Sequence, residues 1–165
     1  MKMDGKAKEI LRILESDARA TPDKIATMTG LPVEEVRAAI AEAEQNRIIV
    51  KYKAAVNWQK AGEEKVWALI EVRVQPQRDV GFDAIAERIY RFPEARTVYL
   101  MSGAYDLALL VVGNTMQEVA AFVSEKVAPM EGVQGTTTHF LLKRYKEDGE
   151  ILADTETAQR LPYSP

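Results

Sequence analysis

Arg96-Thr97-Val98-Tyr99-Leu100-Met101-Ser102-Gly103-Ala104-Tyr105-Asp106-Leu107-Ala108-Leu109-Leu110-Val111-Val112 is the stretch that decides how the second half of this chain folds. It contains two β-prone runs, Arg96 to Ser102 and Tyr105 to Val112, with only Gly103-Ala104 between them. Strands this close in sequence must pair as a hairpin, because a parallel pair needs a crossover of many residues.

Working upstream, Phe82, Ile85, Ala86 and Ile89 recur at helical spacing and stop at Phe92-Pro93. Before them Val66, Ala68, Ile70, Val72 and Val74 alternate with a period of two, and Gln75-Pro76 ends that strand. Downstream, Thr115 caps a second helix predicted to bury Met116, Val119, Ala120, Val123 and Val127. Pro129 and Gly132 break it, and Thr136 to Arg144 reads as the last strand. The order strand, helix, strand, strand, helix, strand is the ferredoxin-like plan, a four-stranded antiparallel sheet with both helices on one face. The tail after Glu147 carries charge and prolines but no period, and is expected to be mobile or bound to a partner.

The first half has a different pattern. Ala7, Ile10, Leu11 and Leu14 form one face of a helix from Asp4 to about Asp17. Thr21-Pro22 supplies a cap and a first-turn proline for a short helix that turns Ile25 and Met28 inward and stops at Gly30. Leu31 packs in the turn, and Pro32 opens a third helix with Val36, Ile40 and Ala43 on one side. Three short helices with a glycine turn before the third make a helix-turn-helix. Ile48 to Lys53 is β-prone and is expected to form a ribbon or wing, and Ala54 to Glu64 reads as a linker. The expected organisation is therefore α+β: a winged helix-turn-helix over 1–53, a hinge over 54–64, a ferredoxin-like domain over 65–146 and a tail over 147–165.

Composition narrows the function classes. Of 165 residues 47% are apolar and 28% charged, as in a folded domain, and no cysteine is present for a disulfide or a thiolate metal site. Met1-Lys2-Met3-Asp4-Gly5-Lys6 lacks the apolar core of a signal peptide, and the apolar run Leu107 to Val112 is far too short to span a bilayer. A soluble cytoplasmic protein without membrane contact is expected. Net charge is −3, yet residues 1–60 hold 11 basic and 9 acidic residues while 61–165 hold 11 and 16. Nucleic-acid contact is thus confined to the first half.

Gly30-Leu31 with Val36 and Ile40 downstream, Ile48-Ile49 at the hinge, and Gly103-x-Tyr105-Asp106 before an apolar strand together resemble the Lrp/AsnC (feast/famine) transcription regulators. The similarity covers roughly residues 3–146. It implies a RAM/ACT-like sensing domain and a homodimer whose sheets pair across a two-fold axis, often built into tetramers or octamers. It also implies an amino acid or related metabolite, bound at the dimer–dimer interface near the hairpin turn, that shifts assembly or DNA affinity. No cofactor is implied.

For a helix-turn-helix on double-stranded DNA, the third helix presents its N-terminal residues to base edges. The candidates are Val33, Glu34, Arg37, Ala38 and Ala41, with Thr21, Lys24, Arg47, Lys51 and Lys53 placed to touch the backbone. The family usually has serine at position 32 and arginines near 38–39, where this chain has Pro32, Ala38 and Ala39. With Glu34 and Glu35 beside them, a helical domain used only for association stays open as an alternative.

In the hairpin turn, Asp106 can accept from a ligand ammonium while backbone N–H groups from Gly103 to Tyr105 hold its carboxylate. Met101 flanks the turn, and Thr136, Thr137 and Thr138, at the start of the last strand, can complete the site from a neighbouring subunit. Gly and Asp are also ordinary hairpin residues, and a threonine run is ordinary in an exposed strand. The resemblance favours the ligand site, on a tip that buries little apolar area. The single histidine, His139, lacks a partner at metal-ligand spacing and is expected to be packed or interfacial; Trp58 and Trp67 are expected to pack.

No nucleophile elbow, phosphate-binding glycine loop or metal constellation is present, so no catalytic residue is assigned. Sirohaem decarboxylases resemble these regulators in fold but carry His-x-Tyr-Asn where this chain has Gly103-Ala104-Tyr105-Asp106, which speaks against that enzyme. A partner-binding module using the acidic half is the other alternative.

Overall fold

Asp4 starts the first helix, its Oδ1 accepting from the Ala7 N–H at 2.7 Å and satisfying one of the donors a helix start leaves unpaired. The computed structural model describes residues 4–75 and 81–152. The chain divides into two compact units, Met1–Val56 and Asn57–Pro165, a boundary that falls inside the segment 54–64.

The first unit holds α1 (Gly5–Ser16), α2 (Pro22–Thr29) and α3 (Val33–Gln45). Thr21 Oγ1 accepts from the Lys24 N–H at 3.3 Å, Pro22 sits in the first turn, and Gly30 ends α2 at φ 70°. That φ lies in the left-handed region, where a Cβ is strained even though it would meet nothing within 4 Å. Ile10, Leu14, Ala20, Ile25, Ala26, Leu31 and Val36 form the core. Met28, expected inward, is 57% exposed. The inward stripe of this two-turn helix runs through Ile25, Ala26 and Thr29, which turns Met28 outward.

The β ribbon expected over residues 48–53 is not formed, since none of them is in a strand. Instead α3 ends in a Schellman motif, in which Ile48 N–H donates to Ala43 O at 2.8 Å and Arg47 N–H to Glu44 O at 3.0 Å. The motif requires a left-handed residue, and Arg47 occupies it at φ 55°. Ile49, also bonded to Ala43 O, then packs on the helical core. β-propensity cannot make a strand without a partner, and the described residues of this unit supply no partner strand.

The second unit runs β1 (Val66–Val74), α4 (Phe82–Tyr90), β2 (Ala95–Leu100), β3 (Leu107–Gly113), α5 (Met116–Ala121) with a π-helical continuation Phe122–Val127, β4 (Val133–Phe140) and a small hairpin, β5 (Lys146–Glu147) and β6 (Glu150–Ile151). The main sheet is antiparallel in the order β2-β3-β1-β4. Ala68, Ile70, Val72 and Val74 alternate inward as expected and meet Ile85 and Ile89 of α4 and Val119, Phe122, Val123 and Val127 on the α5 side. Both helices therefore cover one face. Each such side chain contributes about 1.5–3 kcal/mol of burial, so this shared core is what holds the helices on the sheet.

Four local expectations change. The connection from β2 to β3 spans residues 101–106 rather than two, since Leu100 pairs with Leu107. On α5 Met116 is 52% exposed and Ala120 is exposed. The π turn, closed by Ala128 N–H to Val123 O at 2.8 Å, instead places the adjacent residues Phe122 and Val123 both inward. β4 starts earlier and ends at Phe140, and because β1 begins at Val66, opposite position 142, residues 143 and 144 have nothing to pair with; Thr136–Thr138 thus lie mid-strand. Finally, part of the tail is ordered. Asp148 and Gly149 both have positive φ, as a two-residue type I′ hairpin turn demands, and Asn57 Nδ2 donates to Leu152 O at 3.0 Å. Pro76 and residues 153–165 lie outside the described residues.

Candidate functional site

Two regions collect the residues singled out by sequence. The first is α3 and its flanks. With about 3.6 residues per turn, the pole opposite the buried Val36 and Ala43 passes through Glu34, Ala38, Ala41 and Gln45, all exposed. Arg37 stands on one flank. Its guanidinium lies 3.6 Å from Asp23 of α2 and 3.8 Å from Glu34. Val33 does not belong to this surface, because it is half-buried against the helical core.

Thr21 spends its hydroxyl oxygen on capping α2. Lys24 Nζ donates to Asp17 Oδ2 at 2.9 Å, and that hydrogen bond holds the Asp17 carboxyl below the ordinary aspartate value. Arg47, Lys51 and Lys53 are exposed beyond the C-terminal end of α3. Tyr52 donates to Glu44 at 2.9 Å, and burial, then the glutamate, raises its phenol. An open groove of about 690 Å³ runs between α1 and residues 48–53, lined by Leu11, Leu14, Ile48 and Val50. Apart from Val33, the DNA candidates are thus surface residues of one small unit, and the Thr21 hydroxyl, whose oxygen accepts from Lys24 N–H, keeps a proton to donate. The sequence reading missed Asp23, whose closeness to Arg37 depends on the turn at Gly30.

The second region is the connection 101–106. Gly103 has φ 141°, which disfavours any side chain, and Met101 through Ala104 are exposed. Met101 N–H donates to Asp106 O at 2.8 Å, closing the loop. Asp106 is not the bare tip that the sequence suggests. Its N–H donates to Val72 O at 3.0 Å, and its Oδ2 accepts from Val74 N–H at 2.7 Å. Val74 sits beyond the last residue of β1 that β3 pairs with, so the carboxylate replaces the missing ladder acceptor. Asp106 is half-buried, as is Tyr105.

Thr137 pairs with Glu71 and Thr138 with Ile70 on the far side of β1 from β3. Two strand spacings, about 10 Å, separate them from the loop within one chain. The structure therefore unites Met101, Gly103, Tyr105 and Asp106 but not the threonines.

The sheet face away from the helices bears Trp67, Leu69, Ala108, Leu110, Val112 and Tyr99, the last 60% exposed. His139 lies on this face, exposed and 3.6 Å from Glu71, so it is not packed within the chain. Trp67 is half-buried with Arg144 stacked 4.8 Å from its ring centre, whereas Trp58 is 44% exposed.

A further polar cluster had no signal in the sequence. Lys126 Nζ donates to Glu94 Oε1 at 2.6 Å and lies 5.2 Å from the Phe92 ring, which meets Phe122 edge-on at 5.6 Å. The Lys126 hydrogen bond holds the Glu94 carboxyl below the ordinary glutamate value. No helix among the described residues is long and apolar enough to cross a membrane.

Comparison with known proteins follows the same division. Residues 67–151 match the Lrp/AsnC ligand binding domain, and residues 3–50 match a winged helix-turn-helix DNA-binding domain. The uncharacterized HTH-type transcriptional regulator YugG of Bacillus subtilis (strain 168) is 48% identical over 166 residues, covering 100% of each chain. The HTH-type transcriptional regulator FL11 of Pyrococcus furiosus is 28% identical over 149 residues, 90% of this chain and 95% of its own. Among solved structures, an AsnC family transcriptional regulator from Agrobacterium tumefaciens has a TM-score of 0.71 at 26% identity, over 90% of this chain and 96% of its own. A Neisseria meningitidis transcriptional regulator solved with L-Met has a TM-score of 0.70 over 88% of this chain and 94% of its own; at 21% identity the likeness is one of fold alone.

Proposed function

This chain belongs to the Lrp/AsnC family of DNA-binding transcriptional regulators, with a ligand binding domain in its second half, and we propose that an amino acid or related small metabolite held there changes its assembly or its affinity for an operator. The observation that carries this reading is the loop Met101–Asp106. It is an exposed turn with backbone donors around Gly103, anchored at one end by Asp106. Such a turn can meet a ligand carboxylate with N–H groups. Asp106 Oδ1, the oxygen not bonded to Val74, is left to meet an ammonium, with Met101 and Tyr105 beside it. Thr137 and Thr138 join the site from another subunit.

On the DNA side, Glu34, Arg37 and Ala38 face base edges, while Thr21, Lys24, Arg47, Lys51 and Lys53 lie along phosphates. Arg47 supports this assignment, because a non-glycine residue in a strained left-handed position points to a role for its side chain. Self-association through the helix-free sheet face buries Trp67, Leu69, Leu110 and Tyr99, a surface that water would otherwise meet. The place of action is the cytoplasm, where the DNA target is.

The test is a gel shift on the DNA upstream of the protein's own gene, with and without each amino acid, paired with a thermal-shift screen. Retarded DNA whose mobility or midpoint changes with one amino acid, and a melting temperature raised by that same compound, are the expected results. A protein that binds DNA but shifts its melt with no amino acid lacks the proposed sensing function. The four glutamates on the solvent side of α3 favour a second reading, an interaction module that does not bind DNA; absence of any retarded DNA at low salt would establish it.

A further inference from the structure

The outer face of α3 is poor in positive charge for a helix laid in DNA. Glu34, Glu35, Glu42 and Glu44 are exposed along it, and Arg37 is its one cation. Arg37 is also placed between two carboxylates, at 3.6 Å from Asp23 and 3.8 Å from Glu34. Glu34 itself is 89% exposed at the pole of the helix, and no side chain caps the start of α3. The next turn at this pole is Ala38 and then Ala41, so nothing bulky keeps the helix from a close approach to base edges.

We propose that Glu34 and Arg37 form one reading couple that selects a site containing cytosine and guanine. Arg37 donates to guanine O6 and N7, and Glu34 accepts from the cytosine N4 amino group, with the methyl of Ala38 against a thymine methyl. This inference rests on α3 being the helix that enters the major groove. Its physical basis is what an exposed glutamate does on DNA. Against phosphates it is repelled. In the major groove amino donors are offered by cytosine N4 and adenine N6. Adenine places the N7 acceptor beside its donor, which an acceptor-only carboxylate cannot satisfy, so cytosine is the better partner. On non-specific DNA Arg37 stays within ion-pair distance of Glu34 and Asp23, and the two carboxylates offset its attraction for phosphate. On the matching base pairs both members find partners. Discrimination then comes as much from weak non-specific binding as from strong specific binding.

The test is selection of binding sites from a random DNA pool with the full chain, comparing wild type with Glu34→Gln, Glu34→Ala and Arg37→Ala. Wild type should enrich a C·G pair. Glu34→Gln should move the preference at that pair toward A·T, since an amide reads adenine N6 and N7. Glu34→Ala should lose the preference, roughly 5- to 150-fold in relative affinity, the range set by one good base contact. It should also bind random DNA more tightly than wild type, through the loss of a negative charge. Arg37→Ala should lose guanine. Melting temperatures of the exposed-site variants serve to confirm folding. If wild type enriches a consensus that Glu34→Gln and Glu34→Ala reproduce unchanged, the couple does not read bases, although DNA binding stands. If wild type enriches no sequence at all, the reading of α3 as a groove-entering helix falls together with the couple.

Discussion

Replacing Asp106 with alanine removes the acceptor of the Val74 N–H, which lies at 2.7 Å in a half-buried position. Two effects add. A charge-assisted hydrogen bond disappears, and a backbone donor beyond the reach of β3 is left without its partner. Bonds to charged groups are worth about 1.5–3 kcal/mol, so the second unit should lose that much stability. For a unit of about 100 residues this corresponds to a melting temperature lower by roughly 6–12 °C. Asp106→Asn keeps an accepting oxygen without the charge and should lose about half as much. Differential scanning calorimetry of the ligand-free protein measures both. The loop 101–106 is closed by Met101 N–H to Asp106 O, a backbone bond that neither variant removes, so the loss should be confined to the carboxylate's own bond. An alanine variant melting within a degree of wild type would refute the reasoning, because it would show that Val74 N–H finds water at no cost. Titrating the same variants with any amino acid identified by screening then separates the two oxygens. If Asp106→Asn retains most of its stability yet loses ligand, the second oxygen contacts the ligand.

Three other outcomes are expected. Arg47→Gly should stabilise the first unit by about 1 kcal/mol, since glycine adopts φ 55° without strain, while weakening DNA binding in a gel shift. Lys51→Ala with Lys53→Ala should lower affinity for all DNA sequences alike and flatten the salt slope by about one unit for each phosphate no longer neutralised; an unchanged slope would remove this segment from the interface. Lys126→Met should cost less than about 1 kcal/mol at neutral pH, as exposed pairs do. Because Glu94 has a lowered carboxyl in the folded state, its contribution is complete above the ordinary glutamate value and is lost as pH falls through the lowered one. The gap between wild type and variant should therefore narrow on acidification, and a gap constant with pH would show that only the packing against Phe92 and Phe122 matters.

Period and caps were strong enough to be read directly. The alternation from Val66 to Val74 and the sequence Thr21-Pro22 to Gly30 state their own structure, because each depends on neighbours within a few residues. Failures came where the deciding partner is distant. Ile48 to Lys53 has strand propensity but no partner strand among the described residues of its unit, so the Schellman turn at Arg47 prevails. Asp106 looks like a turn residue until β1, 32 positions earlier in the chain, supplies the Val74 N–H. The extent of β4 was set by where β1 begins, and the π turn at Phe122–Val127 by the shape of the core. For the site, residue types were legible but their occupancy was not. Thr21, Lys24 and Arg37 all turned out to have partners within the chain.

The sheet order has a consequence during synthesis. β1 is a central strand, paired on one side with β3 and on the other with β4. Its apolar residues are made long before either neighbour, and its second edge waits for the chain between Val74 and Phe140. At about 5–20 residues per second this interval is roughly 3–13 s. Throughout it, a nine-residue strand whose inward face is Val66, Ala68, Ile70, Val72 and Val74 presents open backbone groups to the crowded vicinity of the ribosome. The three helices of the first unit, built from local contacts, can already be folded by then. The emerging second unit, with β1 at its front, is therefore the part of this protein that most needs a chaperone, and slowing translation between residues 74 and 140 should lower the yield of soluble protein when chaperones are limiting.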